Sequence, residues 1–521
     1  MNMPANNNQP AVNPSDTDDR LAALISNAAA IRSVASAVEG TLGPKGLNCM
    51  LVDRFGDVVV TNDGSTILDR VDAPHPAAGM LIKTAKAQDE EVGDGTTTAA
   101  VIAGALIAEG VSQALRGVPV TKIIEGIRLG VKRADEFIRN SAIEIETFDN
   151  RLLWQAAYIS SRENADIADL TLKAAELVGI EKLRDPAFRL SRTIIAKENA
   201  ENEVFEGIIV DKKRANRQMP RTVEKAKTLL IDDALEPEPL EDDALGTESG
   251  FARYIQLQNE YKENIERIIG LGVKFVAVAK GIDDYAEEAF TEAGIMAIQR
   301  VSSKDIAAIA EHSGARTLKR TGLRKGPDEL ARNLGFCGKI SEDSRLEFIR
   351  IEHGAGKPAA SVIVGASTPE VRDERERIAK DAASAVQAAL NGGVVPGGGA
   401  IEIAASREVS LLRDSVRGMA AYGVDCVVEA LRKPLMQISA NAGFNPLEKV
   451  EDALSAQSKG SPSFAIDCDT GEVADMMALG IVDPAKVKLH ALKAAAEIAE
   501  AILRINVIIR KRGEENPAAS A

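Results

Sequence analysis

The segment EVGDGTTT at 91–98 holds the residues best suited to chemistry. Two glycines flank Asp94, and Thr96, Thr97 and Thr98 open an apolar helix. A helix N-terminus offers unpaired N–H groups and the positive end of its dipole, which suit a phosphate. Glycine lets backbone approach the anion, and the threonines add hydroxyls. Asp94 would repel a phosphate unless a cation lay between them, so Mg2+ ligation is its natural role. A plain capped helix start with threonines bonded back to their own backbone accounts for the same residues.

Other segments could contribute and are ambiguous by themselves. TLGPKG at 41–46 follows a helix, where Gly and Pro commonly mark a stop. VPGGGA at 395–400 is either a flexible turn or a close backbone approach to a ligand, and no GxxxxGK[ST] loop is present. Asp63 lies in an NDG turn, where Asp-Gly is ordinary turn chemistry; its other role would be to orient water. Asp381 follows Ile378 by three residues and precedes Ala385 by four, so it points toward the apolar stripe Val371, Ile378, Ala382, Ala385 and Ala389. A carboxylate so placed needs a partner, for which Arg377 is one turn back, or a role such as positioning water. The four histidines stand apart from Cys and carboxylates at metal spacing, and there is no GxSxG, which argues against covalent hydrolase chemistry.

These residues sit in a chain of 521 with 63 Lys and Arg against 78 Asp and Glu, a net charge of −15. That balance argues against nucleic acid and anionic membrane as partners. Aromatics are 3% of residues, so bases or sugars would not be held on stacking platforms. Cys49, Cys337, Cys426 and Cys468 form no CxxC pair, which fits a reducing compartment. No apolar run is read as reaching the roughly 18 residues of a membrane span, and the polar start lacks the features of a signal peptide, so a cytoplasmic location is expected.

The positioning elements follow from periodicity. Residues 19–39 read as a helix stopped by Gly40, 48–53 and 57–61 as a hairpin around Phe55-Gly56, and 66–115 as helix broken at 91–98. In the middle third, strands at 227–232, 273–279 and 295–301 alternate with helices at 251–269 and 283–293, the pattern of a parallel sheet with packed helices. Strands are also expected at 204–213, 345–351 and 360–365. A helix capped by Thr368 runs to about Leu390, and a last long helix runs from Pro484 to about Arg510.

TLGPKG, NDGSTIL, EVGDGTTTAA, VVPGGGAIE and ALGIVDPAKVK occur in this order across 41–488. Together they closely resemble the chaperonins, which fold proteins in ATP-driven double rings; the likeness spans nearly the whole chain outside its tails. The segment from 229 to 284 and the ending ILRINVIIRKR look like the thermosome type (group II), with a built-in helical lid, and the divergence fits the group II-like chaperonins of some bacteria, called group III.

The resemblance implies a multidomain fold, α and α/β. A mainly helical equatorial ATPase domain would take 19–146 and 398–512, and an intermediate hinge domain 147–212 and 366–397. An α/β apical domain would take 213–365 with a protrusion at about 236–262, and disordered tails 1–18 and 513–521. It implies ATP and Mg2+, with Thr41, Leu42, Gly43, Pro44, Gly95, Thr96, Thr97, Thr98, Gly398 and Asp483 at the nucleotide and Asp94 at the metal. Asp483 would bond ribose hydroxyls, Thr41 and Thr97 would serve a K+, and Asp63 and Asp381 would orient the attacking water. The usual γ-phosphate-sensing lysine is missing, with Arg162 and Asn164 near its place. The implied partners are unfolded proteins, with Phe251, Tyr254, Ile255 and Leu257 either candidate contacts or core packing within that domain, and other copies of the chain in a double ring of about 16 subunits. No separate co-chaperonin lid is expected. The alternatives are a ring-forming holdase or scaffold with weak ATPase, and an ordinary soluble ATP-dependent enzyme.

Overall fold

A computed structural model describes residues 14–52, 56, 58–239 and 247–507. The chain divides into two compact units, one formed by residues up to Asn164 together with those from Ser384, the other by Ala165–Ala383.

The first unit is helical. Its core joins residues far apart in sequence, among them Ile31, Leu81, Ile102, Leu106, Ile127, Val424, Leu431 and Ile498, each on an apolar helix face. The first helix, Pro14–Glu39, begins inside the stretch expected as a disordered tail, which corrects that boundary; residues 1–13 and 513–521 lie outside the described residues. The helix Thr96–Leu115 is buried almost all round. It and Leu21–Glu39 are long and apolar enough to cross a membrane by composition, contrary to the expectation that no run would qualify. In Thr96–Leu115 most of that apolar surface is already covered by helices of its own unit, through core residues such as Ile102 and Leu106. Helices Val120–Ser141 and Ala420–Asn441 cross at two glycines. A Cβ on Gly126 would lie 1.9 Å from the Ala420 carbonyl oxygen, and one on Gly423 2.1 Å from that of Ile123.

The hairpin Cys49–Val52 with Val58–Thr61 forms as expected; Phe55 and Asp57 lie outside the described residues. Two short antiparallel pairs went unforeseen: Val394–Pro396 with Val482–Pro484, and Phe464–Ile466 with Val473–Asp475. Three-residue strands carry too little alternation to be distinguished from loop.

The second unit is built on a mixed eight-stranded sheet. Its order is Ile194–Glu198, Ala360–Ala366, Glu203–Val210, Phe348–Gly354, Gly335–Asp343, Thr222–Ile231, Val273–Val278 and Met296–Ile298. The last three run parallel, as the alternating pattern requires. On the central strand Val276 and Val278 pack into one cluster while Phe275 and Ala277 enter another. Both faces are therefore covered, and the strand reads as a continuous apolar run. Ile194–Glu198 and Gly335–Asp343 were not expected; both hold charged or polar residues that break the apolar signal.

Thr247 caps the helix Glu248–Gly270, its hydroxyl accepting from the Gly250 N–H at 3.0 Å. Phe251, Tyr254 and Ile255 on its first turns are exposed at 57%, 40% and 45%. Leu257 is buried, which removes it from the candidate contacts. The protrusion is described only in part, since 240–246 lie outside the described residues. Thr368 begins the helix Pro369–Gly392 as expected, its hydroxyl accepting from the Val371 N–H at 3.4 Å and its carbonyl from Arg372. Ile378, Ala382, Ala385 and Ala389 are buried, but Val371 is exposed at 41% and does not belong to the stripe.

Candidate functional site

The helix Pro76–Val92 ends on Gly93 in the left-handed region (φ 73°), and Thr96–Leu115 starts from Gly95, also left-handed (φ 80°). Asp94 is held between them. A Cβ on Gly93 would stand 2.2 Å from Ser384 Oγ and one on Gly95 2.6 Å from Val487 Cγ1, so neither position tolerates a side chain. Gly95, the N-cap, supplies no side-chain bond to the first N–H groups of the Thr96 helix. The buried Gln88, unnoticed in the sequence, pins this turn. Its Nε2 donates to the Asp94 carbonyl at 2.7 Å, and its Oε1 meets His490 Nδ1 at 2.5 Å.

The NDG turn packs directly on it. A Cβ on Gly64 would lie 2.3 Å from Thr97 Oγ1. Asp63 is the N-cap of helix Gly64–Arg70. Its Oδ2 accepts from Thr66 N–H at 2.8 Å, Thr66 Oγ1 at 2.6 Å and Ser65 Oγ at 2.8 Å. The ordinary turn role is thus realised, and it also fixes the carboxylate beside the Asp94 turn.

TLGPKG is held from the helix Ala420–Asn441. Asn441 Nδ2 donates to the carbonyls of Glu39 and Leu42 at 2.9 and 2.8 Å, and Gly43 (φ 86°) passes Ile438 so closely that a Cβ would be 3.1 Å from its Cγ1. Thr41 Oγ1 donates to the Val38 carbonyl at 2.9 Å, which leaves oxygen lone pairs for a cation. Pro44 follows Gly43 in the same turn.

The glycine arm lies against the strand before the last helix. Pro396 pairs with Val482, and Gly397 N–H donates to the Ile481 carbonyl at 2.9 Å. Gly398 and Gly399 are both left-handed (φ 62° and 83°), and a Cβ on Gly397 would stand 3.1 Å from Asp483 Oδ2. Asp483 Oδ2 is 2.8 Å from Lys488 Nζ, and Lys488 Nζ is 2.8 Å from Glu402 Oε1. Glu402 and Lys488 escaped sequence reading; their signals were a lone acid three residues after a glycine run and a lysine five residues beyond Asp483.

Electrostatics joins these segments. Asp94 is raised to about 6, first by burial and then by Asp483, with Asp63 adding to the rise. The Gly95 N–H, 2.5 Å from Asp94 Oδ1, and the Lys488 charge oppose it. Asp63, Asp94 and Asp483 therefore share one region. Asp381 is half-buried on the helix Pro369–Gly392 and belongs to the second unit, which ends at Ala383. Arg377 forms an ion pair with Glu374. In the turn before Ala165, Arg162 and Glu163 are left-handed (φ 54° and 63°), and Asn164 Nδ2 donates to the carbonyls of Ser161 and Arg162 at 2.7 and 3.3 Å.

The donor set suits Mg2+ in a particular way. Among the described residues no three His, Cys, Asp or Glu gather to hold a metal. Mg2+ usually takes one or two carboxylates and completes its shell with phosphate oxygens and water. Asp94, a carboxylate whose charged form is disfavoured until a cation arrives, fits that demand. A pH prediction follows. A carboxyl with a raised folded value holds a proton in the folded chain that the unfolded chain releases near pH 4, so its contribution to stability falls as pH rises toward and through 6. Without nucleotide or metal, Asp94→Asn is expected to be more stable than wild type at pH 7.5, on the order of 1–2 kcal/mol. The gap should narrow as pH falls below 6 and close only below about pH 4, the unfolded value, in thermal unfolding; a gap constant with pH would show that Asp94 does not titrate there.

A family model described as the TCP-1/cpn60 chaperonin family matches residues 34–513. A thermosome subunit of Pyrococcus abyssi is 35% identical over 502 residues, 93% of this chain and 90% of that protein. Thermosome subunit alpha of Methanothermobacter thermautotrophicus is 36% identical over 503 residues, 94% of this chain and 91% of that one. Among solved structures, a group III chaperonin in the open state superposes with a TM-score of 0.85 at 45% identity, covering 94% of this chain and 100% of that chain.

Proposed function

We propose, from the premise that this chain belongs to the TCP-1/cpn60 chaperonin family, that it folds proteins by a Mg-ATP cycle run at the glycine-bracketed Asp94. The chain is a chaperonin subunit of the thermosome-like kind, a chaperone. The finer assignments are our own. The observation that carries them is the half-buried Asp94 between two left-handed glycines at an uncapped helix start, beside the left-handed glycine arm.

In this reading Gly95, Thr96, Thr97 and Thr98 take the phosphates through the first N–H groups of their helix. Leu42, Gly43 and Pro44 line the phosphates and sugar, Gly398 lies against the sugar or base, and Asp483 bonds ribose hydroxyls. Asp94 holds Mg2+, which supplies charge neutralisation at the phosphates. Asp63, fixed by its own cap bonds, and Asp381 orient the attacking water. Phosphoryl transfer asks mainly for positioning and charge neutralisation, and these groups supply both. Asp381 sits on the proposed hinge domain, whose closure would couple to hydrolysis. Thr41 and Thr97 serve a K+.

The proposed domains are equatorial (19–146 and 398–512), intermediate (147–212 and 366–397) and apical (213–365). Copies assemble as a cytoplasmic double ring with a built-in lid and no co-chaperonin, and unfolded chains are held on apolar surface that includes Phe251, Tyr254 and Ile255. A ring-forming holdase with weak ATPase is the second reading. It is favoured by the turn at 161–164, where the Asn164 amide is engaged with backbone carbonyls.

Measuring ATP turnover and refolding of a denatured client, with Mg-ATP and no other protein added, separates them. Wild type is expected to refold the client, and Asp63→Ala and Asp381→Ala each to lose about a hundredfold or more in turnover. Equal turnover in all three would remove both aspartates from catalysis, and ATP-independent client binding alone would favour the holdase.

A further inference from the structure

Lys488 is enclosed in the first unit with two carboxylates converging on it. Its side chain is 12% exposed and that of Glu402 only 2%. Three elements meet there: the first turn of the helix Ala400–Arg413 directly after the glycine arm, the strand Val482–Pro484, and the first turn of the helix Ala485–Leu503. The pair of carboxylates outweighs burial and holds the ammonium charged far above neutrality. Among the described residues, Glu402 finds no hydrogen-bond partner at either oxygen apart from this ammonium. A buried ion cluster of this kind adds little stability over apolar residues of the same volume, so packing does not explain it.

Its location does. Asp483 is the strongest of the charges pushing Asp94 toward its neutral form, and Lys488 acts against that push. Held 2.8 Å from Asp483 Oδ2, the ammonium screens one carboxylate from the other and fixes the Asp483 rotamer against Gly397. We propose that Lys488, braced by Glu402, is a positioning residue for nucleotide binding: it ties down one oxygen of Asp483 so that the other is presented to the ribose hydroxyls. The inference rests on the nucleotide reading of the site.

The test is equilibrium binding of Mg-ATP and Mg-2′,3′-dideoxy-ATP to the full-length protein, in wild type, Lys488→Met and Glu402→Gln. Wild type is expected to prefer ATP by about tenfold or more, the worth of hydrogen bonds to a charged group. Lys488→Met should lose most of that preference by weakening ATP while leaving the dideoxy nucleotide nearly unchanged. Glu402→Gln, which keeps the volume and leaves the Lys488–Asp483 pair, should shift the ratio the same way by a smaller factor, and it carries the test if Lys488→Met does not fold. Equal weakening of both nucleotides, or an unchanged ratio in Glu402→Gln when Lys488→Met cannot be made, would overturn the positioning role. Wild-type protein that binds neither nucleotide would instead overturn the nucleotide site, and the proposal with it.

Discussion

Replacing Asp94 by Ala is expected to reduce Mg2+-dependent ATP turnover by about a hundredfold or more, since a bound metal contributes several kcal/mol of charge stabilisation. The geometry makes this the most sensitive position in the cradle. Two left-handed glycines shape the backbone on either side of Asp94, and Gln88 pins its carbonyl. Asp63 and Asp483 contribute charge to the region, but each is already engaged: Asp63 with Ser65 and Thr66, Asp483 with Lys488. Neither is positioned to take over. The loss should therefore persist at saturating Mg2+, and the folded protein should keep its thermal stability, because the alanine removes a carboxylate whose charge burial disfavours. Steady-state turnover across a Mg2+ titration checks it. Recovery at high Mg2+ would mean that another group holds the metal.

The largest effect on stability is expected from Gly126→Val. Its Cβ would fall 1.9 Å from the Ala420 carbonyl and 2.7 Å from Gly423 Cα, both backbone atoms that cannot rotate away. Overpacking a well-filled core costs about 1–3 kcal/mol when side chains can yield; here whole helices must separate, so about 3 kcal/mol or more is expected. Core partners on the same two helices, Ile127 and Val424, would lose contact as they part. For a unit of this size that lowers its calorimetric transition by roughly 6–12 °C. Gly79→Ala is the control. It lies within helix Pro76–Val92, where an added Cβ would meet no atom within 4 Å, and it should stabilise slightly, by about 0.5–1 kcal/mol. Equal shifts for the two would show that the close crossing is not what limits the unit.

Much of the fold could be read locally. The breaks at Gly93 and Gly95, the turn at Asp63-Gly64, the cap at Thr368, and the parallel strands of the middle third all announce themselves within a few residues, since turn chemistry and period-two alternation are short-range signals. What failed to show had weak local signal. Gly335–Asp343 mixes Lys339, Glu342 and Asp343 into its strand, and the pair Val394–Pro396 with Val482–Pro484 is too short to alternate. Val371 looked apolar enough for the core and is exposed, while Leu257 looked available to a client and is buried. Apolar character states what a residue tolerates, not which neighbour covers it.

The site divides the same way. The resemblance carried by the ordered motifs implied one nucleotide cradle for Asp63, Asp94, Gly398 and Asp483; the turns at Asp63, Asp94 and Gly398 are legible from their residue types, whereas Asp483 lies in the short strand Val482–Pro484. Gln88 stood in a helix with nothing to mark it, Glu402 and Lys488 had only weak local signals, and only the folded chain shows Gln88 locking the Asp94 turn and Lys488 joining Glu402 to Asp483. The chemistry of turns is local, and the sequence by itself determined it. Which buried charge meets which, and where two helices touch through Gly126 and Gly423, depends on contacts across hundreds of residues, so only the tertiary structure could decide it.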